Sequence, residues 1–182
     1  MTNRIAAALA LILVGSCIPA PEPLPPAPPP PAPEPAPTPA PTPPPALPEA
    51  TSGWMEQPQS PGDWFYVTRP PFTMAAFGAS ATDFGFVMRC DRASRTVSLG
   101  RVSDAQEPRA MRVVTETSMR QFTGQPRQGA IETLVAVDLD ANDRLLDAMA
   151  ISKGRFAVEV AGEPSLYIPS WPEVTRVIED CR

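Results

Sequence analysis

Between Pro19 and Pro48 the chain is mostly proline, eighteen residues in thirty. This stretch constrains folding more than any other. It has almost no large apolar side chains and few backbone N–H donors, so it can build neither a core nor a ladder. Alternation of Pro with Ala, Thr and Glu holds each residue before a proline in extended or polyproline II geometry. At about 3.1 Å per residue, positions 18–50 could reach on the order of 100 Å. PxxP spacing recurs here and would suit a polyproline reader, but a passive semi-rigid spacer is the simpler reading. A globular domain is therefore confined to about residues 52–182, long enough to bury a proper core.

The residues before the spacer read MTNRIAAALALILVGSC. Arg4 supplies a positive start, and Ile5 to Val14 is an apolar run followed by small residues. Ten helical residues rise only about 15 Å, half a bilayer core, which predicts an export signal and not a membrane span. Val14-Gly15-Ser16-Cys17 resembles the lipobox of bacterial lipoproteins. That resemblance implies cleavage before Cys17 and lipidation of its sulfur. Several acyl chains on one cysteine would give stable anchoring. Ile18 follows it where Asp is absent, which by similarity to Gram-negative sorting rules implies the outer membrane, facing the periplasm. The expected organisation is a signal peptide over 1–16, a lipidated cysteine and disordered proline-rich tether over 17–51, and a globular β-rich domain over 52–182.

Composition removes several functions. The formal charge is −5, and loss of Arg4 with the signal takes it to −6. A negative chain argues against generic nucleic-acid binding, which wants a basic surface. There is no histidine. Ser-His-Asp and Cys-His catalysis and imidazole-dependent metal sites are thereby excluded. No cofactor motif is present either.

From Trp54 onward the composition becomes ordinary. Trp64–Thr68, Phe72–Phe77, Phe84–Cys90, Thr96–Val102, Met111–Thr117 and Ile131–Leu139 read as strands, with a final hairpin from Phe156–Val160 to Leu166–Ile168 around Gly162-Glu163-Pro164. In the third, alternation predicts Phe84, Phe86, Met88 and Cys90 on one face, with Gly85, Val87 and Arg89 on the other. Gly78 to Gly85 reads as a small-residue connection between strands. Asp140 can cap a short helix over Ala141–Ala150, with Leu145, Leu146 and Met149 inward. Ser170-Trp171-Pro172-Glu173 fits a capping box with proline in the first turn, opening a C-terminal helix whose Val174, Val177, Ile178 and Cys181 share a stripe. The fold class expected is mainly β, a compact antiparallel sandwich or barrel with a short helix and a C-terminal helix.

With Cys17 lipidated, Cys90 and Cys181 remain. In an oxidising envelope an even pair should be bonded. Both fall on apolar faces, so both should point into one core. A redox role would want CxxC spacing, which they lack.

Candidate chemistry is sparse. Asp138-Leu139-Asp140-Ala141-Asn142 begins like a calcium loop, but Asp143 stands where glycine is needed and Met149 where a bidentate glutamate is needed. No metal site is expected. Asp83-Phe84-Gly85 spells a kinase triplet without the loops that give it meaning. The carboxylate pairs Asp104 with Glu107 and Glu132 with Asp138 have no informative spacing for hydrolysis of the wall. Arg89, Arg92, Arg95 and Arg101 crowd the Phe84–Val102 hairpin and could form a patch for an anionic partner.

The stretch GRFAVEVAGEPSLYIPSWPEVTRVIEDCR, with Cys90 upstream, resembles a group of alphaproteobacterial envelope proteins and, distantly, the invasion-associated locus B family and a type VI secretion accessory family. The resemblance spans about residues 60–182. It implies a periplasmic binding or assembly role and carries over no catalytic residue. The lipobox and long tether depart from the invasion-associated pattern. Sequence therefore points to a non-enzymatic, lipid-anchored binding or scaffolding module whose partner is an envelope protein or an anionic envelope polymer. A carboxylate hydrolase acting on the wall, or a secretion-system accessory, is the alternative.

Overall fold

The computed structural model describes Leu47 and residues 53–182. The expected signal peptide, Cys17 and nearly all of the expected tether lie outside the described residues.

Among the described residues nine strands and two helices follow in order: β1 (Asp63–Arg69), β2 (Phe72–Ser80), β3 (Asp83–Asp91), β4 (Thr96–Val102), β5 (Arg109–Val114), β6 (Met119–Gln128), β7 (Thr133–Asp140), α1 (Arg144–Ala150), β8 (Arg155–Val160), β9 (Leu166–Pro169) and α2 (Pro172–Asp180). All pairings are antiparallel, in the spatial order β1-β2-β3-β4-β7-β6-β5-β8-β9. The sheet curls into a half-barrel, in keeping with the mainly β expectation.

The corner of the curl is β6. Met119 to Gly124 pair with β5, whereas Gln125 to Gln128 pair only with β7. Pro126 can sit in that second half because one side of the strand has no ladder to supply. Gly124 marks the hand-over: a Cβ there would lie 2.5 Å from Val135 Cγ1, so only glycine fits. The two edges of the sheet meet through side chains. Trp64 Nε1 of β1 donates to the Pro169 carbonyl of β9 at 2.8 Å. Just before β1, the Ser60 N–H donates to Tyr167 O and its Oγ accepts from Tyr167 N.

The inner face holds the core. Trp64, Phe77, Phe86 and Phe156 form a chain of edge-on aromatic contacts with centroids 5.4–6.2 Å apart. Met88, Leu99, Met111, Val158 and Ile168 pack around them, fully buried. Helix α2 lies against β1, β2 and β3, with Val174, Val177 and Ile178 turned inward. Cys181, just past its end, is bonded to Cys90 of β3, with Cα atoms 5.5 Å apart.

Several local expectations needed correction. The α1 cap is Asp143, whose carboxylate accepts from Leu145 N at 2.8 Å; Asp140 instead accepts from Asn142 N, and the helix starts three residues later than expected. The capping box of α2 does not form. Trp171 holds the cap position without a side-chain bond, and Ser170 Oγ is buried without a partner. Proline at the first helical position needs no N–H partner, which lessens the need for such a cap. Strand β6 was not expected at all. Finally, Gly78 to Gly85 is strand on both sides of a tight turn, and register shifts at Phe77/Gly78 and Gly78/Ser80 change the alternation. Phe84 is thereby carried to the outer face, while Gly85 faces Leu166 and Arg101 inside.

Candidate functional site

A sheet with solvent on its outer side would show polar residues there. On strands β1, β2, β3, β4 and β7 apolar side chains instead share that side with a few polar ones, Arg89, Ser98 and Asp138. Register aligns Val67, Met74, Arg89 and Ser98 in one outward row, and Phe65, Ala76, Val87, Gly100 and Ala136 in the next. From these rows Val67, Met74, Arg89, Ser98, Val87, Gly100 and Ala136 line a groove of about 430 Å³. Ala81 and Thr82 of the β2–β3 turn and Phe84 of β3 line it, as do Gln128 of β6 and the β6–β7 turn, residues 129–132. Gly100 leaves room in the floor: a Cβ there would meet Leu134 and Val87 side chains at 3.1 and 3.2 Å. The volume lies within the range of small-molecule sites, roughly 300–1,000 Å³.

Cations border this apolar floor. Arg89, half-buried, lies over the Phe72 ring, 3.5 Å from its centroid. Arg69 is exposed beside it, and among the described residues no carboxylate pairs with it. Arg127 reaches from β6 to β7 and grips Asp138 with two bonds of 2.9 Å, while Ser98 Oγ donates to the same carboxylate at 2.5 Å. The Arg127 bonds hold the Asp138 carboxyl below the usual carboxylate range, with Ser98 adding to the effect. The same bonds raise Arg127 above the usual arginine value. Arg127 is thus neutralised; Arg89 also acts on Asp138 through space, while Arg69 has no carboxylate paired with it among the described residues, and Glu132 on the β6–β7 turn is the one acid of the lining.

The four arginines expected to form one patch are dispersed. Arg89 borders the groove. Arg92 and Arg95 are exposed in the β3–β4 turn, where Arg92 bonds Asp180 at 3.2 Å. Arg101 is buried on the inner face and donates to the carbonyls of Gly85, Val102 and Pro164. Burial lowers its pKa, and Glu163 partly offsets this. Strand parity explains the separation: Arg101 shares the face of Val97 and Leu99. Arg69 and Arg127 were overlooked. The signal available was the second apolar stripe, Phe72, Met74 and Ala76, on a strand whose other stripe already served the core.

The carboxylates considered for hydrolysis do not converge. Asp104 and Glu107 are exposed in the β4–β5 connection, Asp138 is committed to Arg127, and Glu132 stands on a turn. Among the described residues no group of three metal-ligating side chains comes together, and no helix is long and apolar enough to cross a membrane. Cys17 lies outside the described residues. Comparison with family models, with curated proteins and with solved structures found no match to this chain.

Proposed function

We propose that the chain is a non-enzymatic cell-envelope lipoprotein, a binding or scaffolding module anchored through Cys17 and carried into the periplasm on its proline-rich tether. The observation that carries the binding role is the groove. It is a concave apolar surface on the side of the sheet that the core does not use, with the guanidinium groups of Arg69 and Arg89, neither in a salt bridge among the described residues, at one end. Such a surface suits recognition: a mostly apolar lining with a few polar groups, Arg69, Arg89, Ser98 and Glu132 among them, to fix orientation. The address rests on the apolar run and on Val14-Gly15-Ser16-Cys17. The strong proline bias of positions 18–50 supports it, since a spacer serves a protein fixed at one end.

Growth of cells with an alkyne-bearing palmitate analogue tests the anchor. The wild-type chain should take up label and Cys17→Ser should not, and the mature N-terminal peptide should begin at acylated Cys17. Recovery of a chain that retains residues 1–16 with an unmodified sulfur would reject this reading.

A further inference from the structure

We infer that the outer groove binds a single acyl chain with an anionic head group, such as a fatty acid or a lysophospholipid. The inference rests on the groove being the binding face and names what that face takes. It does not depend on the lipid anchor.

The floor crosses β1, β2, β3, β4 and β7, four inter-strand gaps. At about 4.8 Å each, this is roughly 19 Å of surface, long enough for an extended chain. Val67, Met74, Val87 and Leu134 offer it methyl and methylene contacts with no carbonyl or N–H to satisfy, since the sheet pairs those groups with one another. A polar ligand would find few partners here, and a neutral alkane would leave the charges at the end unused.

Those charges define the head group. Arg69 and Arg89 flank Phe72, at the end of β1 and the start of β2. Stacking on Phe72 holds the Arg89 guanidinium in place while leaving its edge N–H groups free to donate. Neither guanidinium is bonded to a carboxylate among the described residues, Asp138 acting on Arg89 only through space while bonded to Arg127, and such a pair suits a carboxylate or phosphate, which arginine grips through two parallel bonds. A chain with a net formal charge of −5 repels anions at long range, so this local cationic pair at the end of an apolar track is the more informative feature. Arg127 across the groove is already closed by Asp138 and marks the tail end, not a second head-group site.

Displacement of a fluorescent fatty acid from the full chain carrying Cys17→Ser, which has no acyl group of its own, tests this. Palmitate should displace the probe, palmitate methyl ester should do so at least about tenfold more weakly, and acetate should fail. A charge-assisted hydrogen bond supports about a ten- to hundredfold effect. Arg69→Ala with Arg89→Ala should weaken palmitate by that factor and leave the ester unchanged. The double lysine replacement should restore part of the loss. Met74→Trp, which fills the floor, should abolish binding of both ligands while the thermal unfolding midpoint of the variant stays near that of the parent. Phosphatidylglycerol vesicles separate sources: flotation with vesicles but no displacement by free palmitate overturns the inference in favour of surface adsorption. Equal binding of palmitate and ester, or full affinity in the Met74→Trp chain, overturns it as well. None of these outcomes bears on labelling at Cys17.

Discussion

The two faces of the β1–β4 and β7 sheet both carry apolar side chains and use them differently. On the inner face Phe77, Phe86, Met88 and Leu99 have essentially no solvent exposure, and α2 with its disulfide covers the β1–β3 part of that face. On the outer face Val67, Phe72, Met74 and Phe84 are only half-buried, and no helix or strand of the described residues closes over them. Arginine sharpens the contrast. Arg101 on the inside spends its donors on backbone carbonyls, whereas Arg69 and Arg89 on the outside keep theirs. Apolar alternation alone cannot separate core from site, because both produce the same stripe. What separates them is whether something packs on top.

The largest effect expected from breaking the inner face is loss of the Cys90–Cys181 bond. Its sequence separation of 91 residues corresponds to about 4 to 5 kcal/mol of stabilisation on the chain-entropy model. Cys90→Ala with Cys181→Ala should lower unfolding stability in urea by about that amount, and α2 should be the first region to lose protection in hydrogen exchange. A loss below 1 kcal/mol would mean that packing of Val174, Val177 and Ile178 alone holds the helix on the sheet.

Legibility differed between the two faces for physical reasons. The core strands announced themselves through period-two alternation of large side chains, and Val97 with Leu99 needed no tertiary information. The disulfide followed from two apolar stripes that had to meet. Strand β6 was invisible because Met119-Arg-Gln-Phe-Thr-Gly-Gln-Pro-Arg-Gln128 is largely exposed, with only Gly124 buried, and contains both residues that weaken strands. It forms because β5 and β7 on either side need a partner. The groove was harder still. Arg69, Arg89 and Arg127 come from β1, β3 and β6, and only register places them around one cavity. Clustering in sequence suggested Arg89 with Arg92, Arg95 and Arg101, and a turn and strand parity send the last three elsewhere.

Between the faces in size of effect stands the α1 cap. Asp143 accepts from Leu145 N and takes two bonds of 2.7 and 2.8 Å from Arg120. Arg120 chiefly, and the Leu145 N–H in addition, depress its pKa against the opposing cost of burial. A carboxylate depressed in the folded state stabilises above its unfolded pKa, about 3.9, and that contribution disappears as pH falls through the lower folded value. Asp143→Ala should cost about 1 kcal/mol at pH 7, the usual worth of such a cap. The gap between variant and parent in urea denaturation should narrow below about pH 4. A gap that stays constant down to pH 2 would assign the loss to helix propensity or packing and not to the charge.

The smallest effect, and the most discriminating, belongs to Met74. It neighbours Ala75 in sequence but faces the groove, half-buried, while Met88 on the adjoining strand is fully enclosed on the inner face. Truncation of a side chain that already meets solvent removes few packed contacts and leaves no closed cavity. Met74→Ala should therefore shift unfolding stability by no more than about 0.5 kcal/mol, the scatter of ordinary surface substitutions. Its urea slope should stay that of the parent, because the area exposed on unfolding barely changes. A loss above 2 kcal/mol would place Met74 in a packed layer and erase the distinction between the faces. The near-zero result instead identifies apolar surface that the fold leaves uncovered at little cost to its own stability, which frees that surface for a ligand.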